Sequence, residues 1–233
     1  RGSQLHLDGR WPDRAAIDAP DGRVTYDQLA KRVRSVAAGL MAIDPEQQSR
    51  VGICASSSVE HIVGLLAVLA SGKVWVPLNP KSTRPELTRI TDAIGASILI
   101  VEDAYGDLLS DQFATRVVIG DAGSTSVSLQ HLESNQNSAS IPQIALPADA
   151  TQAIKFTGGT TGAPKGVMQP YRAWMANIVN QIHAWQIDET DRYVVAAPIT
   201  HGTSTYVLPI LGQGGCLVII DGAGAEAVRT AFR

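Results

Sequence analysis

Around Lys165 the chain gathers residue types suited to holding a polyphosphate: Phe156 to Val167 reads F-T-G-G-T-T-G-A-P-K-G-V. Gly158, Gly159, Gly162 and Gly166 permit tight turns and let backbone N–H groups approach an anion with no Cβ in the way. Thr157, Thr160 and Thr161 add hydroxyl donors, Lys165 supplies a mobile point charge for phosphate oxygens, and Pro164 stiffens the backbone just before it. Ala153 to Phe156 is an apolar, β-compatible run leading in, and Val167–Met168 lead out, so the loop is predicted to join two strands. The P-loop of nucleoside triphosphatases is excluded. It requires glycine before its lysine and a magnesium-binding hydroxyl after it, where this chain has Pro164 and Gly166. A glycine-rich surface loop without a ligand is the bland alternative; the length and asymmetry of the pattern favour a nucleotide.

The stretch resembles the phosphate loop of the adenylate-forming superfamily of acyl-CoA synthetases, peptide-synthetase adenylation domains and luciferases, which reads approximately Y/F-T-S-G-T-T-G-x-P-K-G-V. Gly158 stands where serine is usual, removing one hydroxyl and leaving the backbone donors. Three further segments resemble family motifs in the expected order. Val24 to Leu29 is similar to L-T-Y-x-E-L, Leu69 to Leu78 to L-x-A-G-x-x-x-V-P-L, and Pro198 to Gly202 to P-L-F-H-x-x-G with Thr200 where an aromatic residue is common. The resemblance implies ATP-dependent activation of a carboxylic acid. The carboxylate attacks the α-phosphate, pyrophosphate leaves, and the acyl-adenylate passes to the thiol of coenzyme A or of a carrier pantetheine. It also implies that Thr157, Gly158, Gly159, Thr160, Thr161, Gly162 and Lys165 bind the ATP phosphates, with Lys165 and Thr161 in catalytic roles, and that His201 lies beside the acyl pocket near the reacting carboxylate. Mg2+ is expected to share the phosphate charge, although the sequence contains no compact carboxylate cluster to hold it unaided.

Taken without the resemblance, a histidine at a helix start is often only a capping or packing residue. His6, His61, His131 and His183 have no ligand spacing and read as structural or solvent-exposed. Trp174 and Trp185 share a predicted helix and read as core or pocket wall, in preference to a nucleotide-stacking pair.

The elements that must position these residues alternate between strand and helix. From Thr25, the residues Tyr26, Leu29, Val33, Val36 and Leu40 mark one face of a helix with Thr25 as N-cap and Gln28 completing a capping box. Arg50 to Cys54 follows as a strand, then a largely apolar helix from Ser58 to Ser71 that stops at Gly72. Val74 to Val76 is a strand; Pro85 opens a helix that Gly95 ends; Ser97 to Val101 is the next strand. Tyr105 to Ala114 reads as helical and Arg116 to Ile119 as a strand. Asp121 to Asp149, rich in Ser, Asn, Gln and Pro, reads as a surface connection with one short helix around Leu129 to Glu133. After the glycine-rich loop come a helix over Tyr171 to Trp185, a strand over Tyr193 to Ala196, a helix over His201 to Leu211, a strand over Cys216 to Ile220 and a helix starting at Ala225. The class is α/β, with layered, mostly parallel sheets flanked by helices.

The chain has 233 residues, 45% of them hydrophobic, enough for a substantial core and typical of soluble globular proteins. A net charge of −3 with scattered basic residues argues against nucleic acid as a partner. Neither a transmembrane-length apolar window nor a signal-peptide pattern is present, and the two cysteines, Cys54 and Cys216, read as buried free thiols in a reducing cytoplasm. Family members run to roughly twice this length. Residues 1–233 are therefore expected to be the N-terminal part of an adenylation domain. The family's Y-G-x-T-E segment, ribose-binding aspartate, hinge and lysine-bearing mobile C-terminal domain are then expected to lie elsewhere, and uncovered apolar surface is expected to favour self-association, a homo-oligomer included. His201 favours the acyl-CoA ligase reading, acting on a fatty or aromatic acid, since peptide-synthetase domains usually carry an aspartate-containing segment there. The alternatives are a peptide-synthetase-like adenylation domain and a non-catalytic nucleotide-binding or interaction module.

Overall fold

The computed structural model describes residues 10–109, 115–123, 127–134, 144–157, 165–220 and 225–231. The chain opens with an antiparallel hairpin, β1 (Ala15–Ala19) and β2 (Gly22–Thr25), which the sequence reading did not anticipate. Thr25 then caps α1 (Tyr26–Ile43): its hydroxyl accepts from the Gln28 amide while the Gln28 side chain accepts from the Thr25 amide, the predicted capping box. Strand and helix alternate as expected through β3 (Arg50–Cys54), α2 (Val59–Ala70), β4 (Val74–Leu78), α3 (Arg84–Ile94) and β5 (Ile98–Glu102). Ser58 caps α2, and α3 ends on Gly95, whose φ of +52° is the left-handed conformation that glycine adopts without steric cost.

Next come β6 (Thr115–Ile119), β7 (Val127–Ser128), α4 (Leu129–Ser134), β8 (Thr151–Thr157), β9 (Lys165–Pro170), α5 (Tyr171–Trp185), β10 (Arg192–Val195), α6 (Ser204–Gly212), β11 (Cys216–Ile219) and α7 (Ala225–Ala231). Two predicted helices are corrected. The stretch from Tyr105 becomes a short 3-10 turn over Asp103–Leu108, and residues 110–114 of that prediction lie outside the described residues. The helix predicted from His201 begins only at Ser204, after a kinked turn over Ile199–Thr203.

The strands form two sheets. A seven-stranded sheet has the order β7-β6-β5-β3-β4-β8-β9 and is parallel except for β9, which runs antiparallel to β8. A four-stranded sheet has the order β10-β11-β1-β2, with β1 parallel to β11. Helices cover both faces of the larger sheet, as parallel connections demand. Leu87, Ile90 and Ile94 of α3 pack on one face with Val76, Leu78, Leu99 and Val101. On the other face a larger apolar core contains side chains of both sheets together with those of α1, α2, α5 and α6. Cys54 and Cys216 are buried free thiols, as read from the sequence. No helix among the described residues is long and apolar enough to cross a membrane.

Tyr26 joins the two halves of this arrangement. Its ring is 1% exposed, and its hydroxyl lies 3.0 Å from the Leu211 carbonyl and 2.7 Å from the Gly215 carbonyl, so α1 is tied to the turn between α6 and β11. Behind that turn Gly214, at φ +86°, leaves room for the Trp11 indole, which a Cβ would meet at 2.7 Å. Tyr26→Phe removes the shared hydroxyl and keeps the ring. It is expected to lower unfolding stability by about 1–2 kcal/mol, measured as a lower urea midpoint at unchanged m-value.

Candidate active site

β8 and β9 form a hairpin in which Thr157 is paired with Lys165. The glycine-rich stretch therefore does join two strands. Gly158, Gly159, Thr160, Thr161, Gly162 and Pro164 lie outside the described residues; Thr157 ends β8, and Lys165 opens β9 with an exposed side chain. Gly166 differs from its sequence reading as a turn residue. It is a strand residue opposite Phe156, and a Cβ there would come within 2.8 Å of the Ile154 side chain and 3.1 Å of the Phe156 ring. Its requirement is close packing across the hairpin.

The second predicted element is the turn carrying His201. Here the backbone leaves helical geometry, with φ −114° and ψ −139° at His201 itself. Side chains compete with the helical ladder at this point. The Ser204 hydroxyl donates to the His201 carbonyl at 2.8 Å, and the Thr203 hydroxyl donates to the Ala197 carbonyl at 2.9 Å. The Ile199 amide donates to the Ser57 hydroxyl at 3.3 Å, fixing the turn to the segment after β3. The imidazole is exposed, with Nδ1 3.1 Å from the Thr200 hydroxyl.

These two elements meet through Lys155, a residue that sequence reasoning missed. Lys155 lies two positions before Thr157 on β8, and its ammonium donates to the Ser204 hydroxyl at 2.8 Å. Ser204, 1% exposed, in turn donates to the His201 carbonyl, so a chain of two hydrogen bonds runs from the phosphate-loop strand to the His201 turn. The ammonium also sits 5.2 Å from the Trp75 ring centroid and 5.1 Å from that of Trp174. Both distances fall in the cation–π range. The signal available in the sequence was a lysine interrupting the apolar run Ala153 to Phe156, at a strand position facing the core.

Lys73 shows what a satisfied buried lysine looks like in this fold. Its ammonium donates to the carbonyls of Asp44 and Glu46 and to the Ser49 hydroxyl, with the Asp44 carboxylate 3.5 Å away. Lys155 has no carboxylate partner among the described residues, and burial alone pulls its ammonium down to a pKa of about 8.

The remaining candidates divide. Trp174 is buried in the core, one of the two expected readings, with its indole N–H donating to the Gln169 side chain. Trp185 is 54% exposed, outside the core, and stacks on Tyr206, which also stacks on Tyr193. His61 is fully buried in α2 with Nδ1 2.9 Å from the Ser56 carbonyl, while His131 and His183 are exposed; His6 lies outside the described residues. Among the described residues no three His, Cys, Asp or Glu side chains converge.

Known proteins place this geometry. The chain belongs to the AMP-binding enzyme family, which matches residues 7–232. It is similar to FR901469 synthetase of a Dothideomycetidae species, at 30% identity over 89% of this chain and 1% of that protein. It is also similar to feruloyl-CoA synthase of an Amycolatopsis species, at 28% identity over 96% of this chain and 46% of that one. Among solved structures, ATP-bound MatB from Rhodopseudomonas palustris superposes with a TM-score of 0.81 at 27% identity, over 92% of this chain and 43% of that one. The chain thus spans less than half the length of each of these proteins. The α/β class and the adenylate-forming family both stand, whereas the choice between coenzyme A ligase and peptide synthetase is left open by relatives of both kinds, among them the nonribosomal peptide synthetase penN of Penicillium thymicola at 32% identity over 86% of this chain and 7% of that protein.

The Lys155 environment carries a pH signature. Its ordinary pKa of 10.5 applies in the unfolded chain and about 8 in the folded one, so between these values the unfolded state binds more protons and stability rises with pH. Below pH 8 the full cost of burying the cation is present. Lys155→Met is therefore expected to unfold at an equal or higher temperature than the wild type below pH 8, with the difference shrinking toward pH 10.5. Thermal unfolding of both proteins across this range checks it.

Proposed function

We propose that this chain is the N-terminal part of the adenylation domain of an ATP-dependent acid–thiol ligase, in which the β8–β9 hairpin loop holds the β- and γ-phosphates and the His201 turn borders the acid. The observation that carries this reading is the hydrogen-bonded link from β8 through Lys155 and Ser204 to the His201 carbonyl, which sets the two half-sites at fixed separation. In the reaction a carboxylate oxygen forms a bond to the α-phosphorus, the bond from that phosphorus to the bridging oxygen breaks, and pyrophosphate departs with the electron pair. Catalysis of this kind rests on positioning and on stabilising charge that moves onto the leaving group. The Thr157–Lys165 pairing suits that task by holding the ends of a donor-rich loop together. Transfer to coenzyme A, with a fatty or aromatic acid as substrate, is the reading favoured by His201; the likeness to feruloyl-CoA synthase supports it. Transfer to a carrier-bound thiol is the second reading, supported by the 32% identity to a nonribosomal peptide synthetase. Buried Cys54 and Cys216 suit a reducing compartment such as the cytoplasm.

Two variants of the full-length enzyme carrying this chain test the assignment. Lys165 is an exposed strand-end residue, so Lys165→Ala is expected to leave stability within about 0.5 kcal/mol and to slow acid-dependent ATP–pyrophosphate exchange. Unchanged exchange at both limiting and saturating ATP would remove Lys165 from the phosphate site. His201→Ala is expected to alter the acid-dependent kinetic parameters more than those for ATP. A selective loss of ATP affinity would place His201 on the nucleotide side instead.

A further inference from the structure

Lys155 is costly where it stands. An ammonium carries three N–H donors, and among the described residues only the Ser204 hydroxyl accepts one of them within hydrogen-bond distance. No Asp or Glu of the described residues lies within ion-pair distance, and the two flanking groups are indole faces. A second group in the same layer is also left over: the indole N–H of Trp75, a residue only 1% exposed, has no acceptor among the described residues. An unpaired buried donor such as the Trp75 N–H costs free energy comparable to a lost hydrogen bond, and a half-buried ammonium without an anion carries a desolvation cost of its own. Lys73, fully engaged by carbonyls and a carboxylate, shows that this fold can satisfy a buried lysine. Among the described residues, Lys155 and Trp75 lack what Lys73 has, an anionic or carbonyl oxygen.

Their place in the fold says where such an oxygen would come from. Lys155 lies on β8 just before the phosphate loop, and Ser204 lies at the start of α6 just after the His201 turn. The ammonium is therefore between the phosphate end and the acid end of the site. Resting on the carboxylate-activating reading above, we propose that Lys155 is a specificity-determining residue whose ammonium, anchored by Ser204 and flanked by Trp75 and Trp174, receives a carboxylate oxygen of the acid substrate. Ser204 fixes the ammonium's direction and, through the His201 carbonyl, its distance from the turn. The indoles exclude water, which strengthens the charge interaction once the acid arrives. That oxygen belongs either to the reacting carboxylate or to a second carboxylate at the acid's far end; the chemistry recognised is the same.

The test uses the full-length enzyme and acid-dependent pyrophosphate exchange, with monocarboxylic acids and dicarboxylic acids of matched chain length as probes. Lys155→Met keeps an unbranched side chain as far as Cε and removes the charge; Lys155→Arg keeps the charge. Lys155→Met is expected to raise the KM for the preferred acid about tenfold or more while leaving the KM for ATP within about twofold, and Lys155→Arg is expected to recover part of the loss. A loss shared by mono- and dicarboxylic acids identifies the reacting carboxylate as the ligand, and a loss confined to dicarboxylic acids identifies the second one. Unchanged acid KM in Lys155→Met, or a rise in the KM for ATP alone, overturns the proposal. So does a lower unfolding temperature for Lys155→Met near neutral pH, which would make the lysine a structural group. If the wild type itself activates no acid in the panel, the carboxylate-activating reading falls and this assignment falls with it; wild-type activity with an unaltered Lys155→Met profile removes this assignment alone.

Discussion

One apolar layer, shared by both sheets, is the constraint on which the rest of the molecule depends. Ala16 and Ile17 of β1, Val51 and Ile53 of β3, Trp75 of β4, Ala153 of β8 and Leu217 of β11 all belong to the same buried cluster, together with the inner faces of α1, α2, α5 and α6. Because this core is common to two sheets, the hairpin that carries the glycine-rich loop and the turn that carries His201 cannot shift independently without disturbing dense packing. Tyr26 adds a directional tie to the same layer by bonding carbonyls on either side of the α6–β11 turn. A scaffold of this stiffness can hold two half-sites at a fixed separation, which is the main requirement for joining a carboxylate to a phosphate.

Lys155 is where that layer departs from the rules of a pure core. Stability would be served by an aliphatic residue between Ala153 and Thr157, and the chain places an ammonium there between two indoles. Local violations of packing logic of this kind collect at functional sites, where the cost is offset by what a bound ligand supplies. The contrast with Lys73 sharpens the point: the two lysines share a fold, and among the described residues only Lys73 is provided with an anion. The relatives include a nonribosomal peptide synthetase and a feruloyl-CoA synthase, so one family scaffold hosts different activities, and the site has to be argued from its own residues.

Much of the fold was legible in the sequence because its signals are local. Capping at Thr25 and Ser58, the glycine stop at Gly95, and strand runs bounded by glycine and proline gave the β3–β6 alternation and the hairpin strands that flank the glycine-rich loop. The four-stranded sheet was not legible, because its β1–β11 pairing joins residues at opposite ends of the chain and β1 is too short to announce itself. The start of α6 was misplaced for a different reason. Thr203 and Ser204 read as ordinary first-turn residues, and only their hydroxyl bonds to the Ala197 and His201 carbonyls reveal that they close a turn and delay the helix. For the site, Lys165 and His201 were nominated through motif resemblance; Lys155 was passed over because a lysine in an apolar run carries no motif, and its surroundings, Trp75, Trp174 and Ser204, come from distant parts of the chain.

The most direct test of the account is a crystal structure of the full-length enzyme with a non-hydrolysable ATP analogue and its preferred acid. The account predicts the triphosphate against the loop between Thr157 and Lys165, and an oxygen of the acid about 2.7–2.9 Å from the Lys155 ammonium with the Ser204 bond retained. Phosphates bound away from that hairpin, or an acid whose oxygens all lie beyond hydrogen-bond reach of Lys155, would contradict it.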